Sequence, residues 1–333
     1  MKYRTIGQNP QTSREVSVLA LGAMLFGTST DEETSFAVLD RFVEAGGTFI
    51  DTSNNYAFWA DGTQGGESEA LLGRWRKSRE VGDEVLIATK LGARPNAAGL
   101  SFADTGKFEN IEGLSAKAIR AGAERSLELL GGDSLGLLYA HIEDPSTPLE
   151  ETVHGFADLV SEGLVGLLGV CNHWSWKVER ARAIAAAAGL PGYEVLQYQH
   201  SYLRPRTDLP ARRSPEGSQG LIDGDVLTYL KAEPGLTLVA YSPLLTGSYV
   251  RADKPLERDY DHPGTPIRLA ALREVAKDAD ATVNQVVLAW LMGGNPSTIP
   301  LVGASSVAQL NESLAAVDLE LTEAQRDKLD NAF

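Results

Sequence analysis

The stretch TFIDTSNNYAFW, residues 48 to 59, opens as a buried strand and ends as a polar and aromatic loop. Phe49 and Ile50 are followed by Asp51 where the strand should stop, and Tyr56, Phe58 and Trp59 come beyond two asparagines. A short apolar run bounded by turn residues fits a strand covered on both faces, and such strands belong to parallel sheets. Whether the polar ending is a habit of this chain or an accident of one loop depends on the other strands.

Seven further runs have the same character: VSVLALG (16 to 22), EVLIATK (84 to 90), SLGLLYAH (134 to 141), LVGLLGVCN (164 to 172), EVLQYQ (194 to 199), LTLVAYS (236 to 242) and STIPLVG (297 to 303). Between them lie stretches of helical length, among them DEETSFAVLDRFVEAGG, SAKAIRAGAERSLELLGG, LEETVHGFADLVSEG and RLAALREVAKDADA. Strands alternating with helices imply parallel strands covered by helices. Roughly eight such units in one chain match the repeat number of an α/β protein of the (β/α)8 TIM barrel class. Thr30 or Asp31 is placed to cap the helix that ends at Gly46 and Gly47, and Thr147, Pro148 and Glu150 open another in a favourable order. No composition break marks a boundary, so residues 1–333 read as a single domain, with MKYRTIG as a strand of an N-terminal β-hairpin.

At 333 residues, 43% hydrophobic and 23% charged, the chain has the composition of a soluble globular protein with a sizeable core. A net charge of -15 argues against nucleic acid and anionic membrane surfaces as partners, because both are themselves negative. The N-terminus lacks an apolar signal core, and no segment approaches the length of a membrane span. Cys171 is the single cysteine, so an intrachain disulfide is impossible and a reducing cytoplasm is the natural location.

Three connections exceed simple turns: residues 91 to 114, 200 to 223 with its charged stretch RPRTDLPARRSPEGSQG, and 247 to 265. Each follows the C-terminal end of an expected strand, the face on which barrels carry their active sites. At those strand ends stand Gly22, Asp51, Lys90, His141, Asn172, Gln197, Tyr241 and Gly303. Singly, each has an ordinary explanation: Lys90 as a charge reaching out from a strand end, His141 as a hydrogen-bonded core histidine, Asn54 and Asn55 as a turn. The barrel topology weakens those explanations by bringing Asp51, Lys90 and His141 from adjacent strands to one rim below Tyr56.

With these residues in place the chain resembles the aldo-keto reductases. The resemblance rests on FIDTSNNY (49 to 56), GESEALLG (66 to 73), ATK (88 to 90), LLYAH (137 to 141), GVCN (169 to 172), AYSPLLTG (240 to 247) and IPLVGASSVAQL (299 to 310), in order along nearly the whole chain. It implies a catalytic tetrad of Asp51, Tyr56, Lys90 and His141. Reducing a carbonyl with a nicotinamide hydride puts charge on oxygen, so a proton donor must be in reach. A tyrosine with a pKa near ~10 is a poor donor at neutral pH. The expectation is that Lys90 lowers the Tyr56 pKa, Asp51 keeps Lys90 charged and His141 orients the carbonyl.

No GxGxxG fingerprint opens a helix after a strand, so a dinucleotide would not be held in the Rossmann manner. The resemblance implies that Asn172 and Gln197 hydrogen-bond the nicotinamide carboxamide and that Tyr241 stacks on its ring. It also implies that Ser242, Leu244 and Gly247 hold the pyrophosphate, and that Gly303, Ser305, Gln309 and Ser313 grip the adenosine end. Gly22, Met24 and Asp51 complete the implied cofactor contacts. NADP(H) is the family's habit, yet GASSVAQLNES lacks the Lys or Arg that many relatives carry near Ser305 or Gln309, which leaves NAD(H) open. Ser313 and Ala23 stand where Asn and Thr are frequent.

Phe58, Trp59, His173, Trp174 and Trp176 are candidates for an aromatic wall against a ring-bearing carbonyl, although Trp176 fits equally well as part of the following helix. Cys171 reads as a packing residue, with no base or resolving cysteine beside it. The expected function is reduction of an aldehyde or ketone, or the reverse on an alcohol, by a monomer without nucleic-acid or membrane partners and without a metal. The alternative is a nucleotide-sensing regulatory protein, as the potassium-channel β subunits of this superfamily illustrate.

Overall fold

The run at residues 16 to 22 is cut in two in the structure. The computed structural model describes residues 1–208 and 217–333, and in it β1 (Tyr3–Ile6) and β2 (Arg14–Ser17) form an antiparallel hairpin, with β3 (Ala20–Gly22) starting only after it. Then follow β4 (Phe49–Asp51), β5 (Leu86–Leu91), β6 (Leu135–Ala140), β7 (Val165–Cys171), β8 (Val195–Gln199), β9 (Thr237–Tyr241) and β10 (Thr298–Gly303). The eight strands β3 to β10 pair in parallel and in chain order, and β10 closes onto β3, giving a (β/α)8 barrel with helices between the strands.

Alternation along each strand sorts the apolar residues into two layers. Ala20, Phe49, Leu86, Ala88, Leu137, Tyr139, Leu167, Val195, Val239 and Ile299 fill the barrel interior. Leu21, Ile50, Ile87, Leu138, Leu168, Leu196 and Leu238 face the helices. Ile6 and Val16 of the hairpin join the interior set, and Gln8 N–H donates to Glu194 just before β8, so the hairpin plugs the end where the strands begin. Within the interior, Tyr139 sits in register with Gly169, where an added Cβ would lie 2.4 Å from the Tyr139 ring. The glycine is required by that close approach.

Asp31 caps the first helix, Glu32–Glu44, by accepting from the Thr34 N–H at 2.8 Å. The helix expected to open at Thr147 and Pro148 begins one residue later, at Leu149–Ser161, with Pro148 in the cap position. The Thr147 hydroxyl donates instead to Asp144 at 2.7 Å, which removes it from capping. The three long connections leave the C-terminal ends of β5, β8 and β9. The first contains a short helix, Phe102–Thr105, locked by a capping box between Ser101 and Asp104. In the second, residues 209–216, with Arg212 and Arg213 of the charged stretch, lie outside the described residues. Among the described residues no helix is long and apolar enough to cross a membrane.

Candidate active site at the barrel mouth

The same alternation that fills the interior aims the strand ends inward. Gly22, Asp51, His141, Gln197 and Tyr241 each follow by two an interior residue, Ala20, Phe49, Tyr139, Val195 and Val239, and Lys90 follows Ala88 in the same way. Asp51, Lys90 and His141 therefore converge at one rim because their strands are neighbours in register, not because of any local sequence signal.

Lys90 is fully buried, and its Nζ donates to the Asp51 carboxylate, to the Thr52 carbonyl at 2.7 Å and to the Tyr56 hydroxyl at 3.3 Å. Asp51 Oδ2 in turn accepts from Gln197 Nε2 at 2.7 Å. Burial works to discharge the ammonium, but Asp51 foremost, with Tyr56 and Cys171, holds the Lys90 pKa above its ordinary value. For Tyr56 the balance runs against expectation. Burial raises the phenol's pKa, Lys90 pulls it down and Asp51 pushes it up again, with a net rise. Tyr56 is thus a fully protonated phenol at neutral pH.

His141 lies beside it, edge to face with the Tyr56 ring at 5.8 Å between centroids. Its Nδ1 is 3.0 Å from Ser53 Oγ, which puts Nε2 on the opposite edge of the imidazole. Ser53 is also 2.8 Å from Asn55 Oδ1, and Asn54 N–H donates to the Lys90 carbonyl at 3.2 Å. Ser53 does not stand out in the sequence: a serine in a strand-exit loop carries no signal until its partner's strand is placed beside it.

Around the rim, Asn172 adopts a left-handed backbone with φ of +55°, which asparagine tolerates better than most residues. Its Nδ2 donates to the His141 carbonyl at 3.1 Å, and its Oδ1 accepts from the Tyr241 hydroxyl at 2.8 Å. Ser242 also has positive φ, and Leu244 leads into a tight turn at Leu245–Gly247. Arg251, beside Gly247, is held by both oxygens of Asp253. Gly303 is exposed, with open space where a side chain would be. Ser305 donates its N–H and hydroxyl to Gln309 Oε1 at 2.9 and 3.0 Å, Ser306 caps the helix Val307–Ala315, and Ser313 is buried. Met24 is 43% exposed.

Trp59 stacks on Phe102, with centroids 4.6 Å apart, and meets Phe58 and Tyr56 edge on at 5.2 and 5.9 Å. Phe102, which has no sequence signal inside a loop of small polar residues, is 61% exposed. Phe58 is buried beneath the pair. His173 is buried, with Nδ1 2.7 Å from the Cys171 carbonyl, and burial pushes its pKa down. Trp174 N–H donates to Glu143 at 2.7 Å, and its ring lies against Gly217. Among the described residues the ring contacts of Trp59 do not extend to His173 or Trp174. Trp176 is exposed on the helix Ser175–Ala188. The Cys171 thiol is buried and its pKa is pushed well up by burial, the behaviour of a packing residue. Among the described residues no group of three or more His, Cys, Asp or Glu is placed to hold a metal ion.

Comparison with known proteins bears on this arrangement as a whole. The model of the Aldo/keto reductase family matches residues 18–332. A norsolorinic acid reductase B from Dothistroma septosporum is 31% identical, covering 100% of this chain and 82% of the relative. An aryl-alcohol dehydrogenase from Pestalotiopsis microspora is 27% identical over 97% of this chain and 80% of its own length. An uncharacterized oxidoreductase from Bacillus subtilis is 28% identical over 100% of this chain and 96% of its own.

Proposed function

From the premise that the chain belongs to the aldo/keto reductase family, we propose that it reduces an aldehyde or ketone with Tyr56 as the proton donor. The family and its oxidoreductase members support carbonyl reduction in general. The observation that carries the finer reading is the Lys90 ammonium, saturated by Asp51, Thr52 and Tyr56 and held charged in a buried site.

A bound nicotinamide dinucleotide supplies the hydride. Tyr56, a phenol whose pKa burial raises further, holds the proton that the developing alkoxide needs. The Lys90 ammonium stabilises the phenolate left behind, and Asp51 with Gln197 keeps that ammonium in place. His141, tethered at Nδ1 to Ser53, orients the carbonyl oxygen from its other edge. The run of proton shifts ends when solvent restores the phenol.

The rim residues suit such a dinucleotide by their chemistry. Asn172, Gln197, Tyr241, Ser242 and Ser305 are neutral donors and acceptors, Gly303 leaves open space, and the nine-residue helix Val307–Ala315 presents its N-terminus nearby. We favour NADP(H), with Ser305, Ser306 and that helix end toward the 2'-phosphate. One observation favours NAD(H) instead: the segment 303–313 carries no Lys or Arg, and hydroxyls bind phosphate less strongly than a guanidinium fork. Fluorescence titration with NADPH and NADH decides between them, since tighter NADH binding overturns our preference.

For the substrate we propose a ring-bearing carbonyl against the Trp59 and Phe102 stack, with Phe58, His173 and Trp174 in the surrounding wall; one relative is named for aryl alcohols. We read the chain as one domain, a monomer acting in the cytoplasm. A panel of aryl and alkyl aldehydes and ketones assayed with both cofactors tests the proposal. Aryl carbonyls are expected to show the higher kcat/KM; no turnover of any carbonyl, with cofactor binding retained, would instead support a nucleotide-sensing role.

A further inference from the structure

We propose that Glu112 is a positioning residue for proton transfer, a carboxylate that ties the loop carrying Tyr56 to the strand carrying Lys90. The inference rests on the assignment of Tyr56 as the proton donor and adds to it the device that fixes where the donor stands.

Glu112 Oε1 accepts two hydrogen bonds, from Asn54 Nδ2 at 2.8 Å and from Gly92 N–H at 2.6 Å. Asn54 lies two residues before Tyr56, and Gly92 lies two residues after Lys90. The Asn54 N–H donates to the Lys90 carbonyl, and Ser53, one residue earlier, contacts both that carbonyl and His141 Nδ1. Glu112 itself is anchored by its own N–H on the Arg94 carbonyl at 2.9 Å. One oxygen thus closes a ring of hydrogen bonds between the chain neighbours of Tyr56 and Lys90, and Ser53 links that ring to His141. Gly92, with φ of +108°, turns its N–H to this oxygen while an added Cβ would meet Leu114 at 2.8 Å.

Further polar groups are buried beside the bridge: Arg94 lies close to Glu67, Glu69 and Glu112, and Arg125 and Ser126 lie close to Glu69. Burial raises the Glu112 pKa, and the hydrogen bonds from Asn54 and Gly92 together with the Arg94 guanidinium pull it back only in part, so the bridge sits in a desolvated site that these partners offset. From the other side Arg125 Nη2 donates to the Gly65 carbonyl at 3.1 Å, and Gly66 N–H donates to the Tyr56 carbonyl at 3.1 Å. The Tyr56 loop is therefore gripped at Asn54 and at Tyr56 by one buried network. A side chain that strays by about 1 Å from its reacting position loses on the order of 100-fold in rate.

The test compares Glu112→Ala, Glu112→Gln and Asn54→Ala with the parent in carbonyl reduction, cofactor binding and the pH profile of kcat. Loss of the bridge is expected to lower kcat about 10- to 100-fold, to move the limb of the pH profile that reports Tyr56, and to leave cofactor affinity within about 2-fold. Glu112→Gln keeps an oxygen for both donors and is expected to restore kcat to within about 3-fold. A folded Glu112→Ala enzyme with the parental kcat and pH profile overturns the proposal, as does a Gln variant no better than Ala. Should Glu112→Ala fail to fold by circular dichroism, Asn54→Ala replaces it: a lowered kcat with a moved pH limb supports the bridge, and parental values overturn it, since this change cuts the bridge and leaves Gly92 capped. A Tyr56→Phe control run alongside separates the two ideas: parental turnover there sinks the donor assignment itself.

Discussion

At the scale of single residues, the site is an exercise in paired charge. Lys90 and Asp51 are both buried, and neither would stay ionised alone, because desolvation of an unpaired charge costs several kcal/mol. Their pairing leaves Asp51 with a second oxygen, and Gln197 satisfies it. Gln197 therefore has a structural role before any cofactor arrives, which the sequence does not suggest. Gln197→Leu, which keeps the volume but deletes the amide, is expected to lower the unfolding free energy of the cofactor-free protein by about 2 kcal/mol, the worth of a hydrogen bond to a charged group. Urea denaturation checks this. An unchanged midpoint and slope would mean that Asp51 does not depend on Gln197.

At the scale of elements, the polar network that holds the Tyr56 loop depends on how two helices meet. Helix Glu67–Arg79 supplies Glu67 and Glu69, and helix Ala116–Leu130 supplies Arg125 and Ser126. Their contact closes at Gly73, where an added Cβ would stand 2.0 Å from the Leu129 carbonyl oxygen. Alanine in a helix interior gains roughly 1 kcal/mol over glycine, but forcing two backbones apart costs about 1–3 kcal/mol. The second effect wins because the obstacle is backbone and cannot rotate away. Gly73→Ala is expected to lower stability by up to about 2 kcal/mol in the same denaturation assay. A stabilised variant would show that the helices separate freely there.

At the scale of the whole molecule, the barrel and its inward rim are legible in the sequence because both follow from period two. Phe49, Ile50 and Asp51 already encode an interior residue, an outward residue and an inward acid, and the same holds at Ala88 to Lys90. What stays hidden depends on distance in space between segments far apart in sequence. The split of residues 16 to 22 is set by pairing of Ser17 with Tyr3, and the Phe102 stack by a short helix inside a loop that reads as featureless. The net rise of the Tyr56 pKa is equally invisible, since burial outweighs a lysine that sequence alone shows as the dominant neighbour. Glu112 lies 58 residues from Asn54 and has no motif around it.

The central claim is that Tyr56 gives the proton, and one comparison addresses it most directly: carbonyl reduction by Tyr56→Phe against the parent, with cofactor binding followed by fluorescence in both. The ring and its contacts with Trp59 and His141 survive the change, so cofactor affinity is expected to hold within about 2-fold. Loss of a positioned general acid is expected to slow reduction by about 100- to 10,000-fold. Reduction at the parental rate by a folded Tyr56→Phe protein would contradict the account.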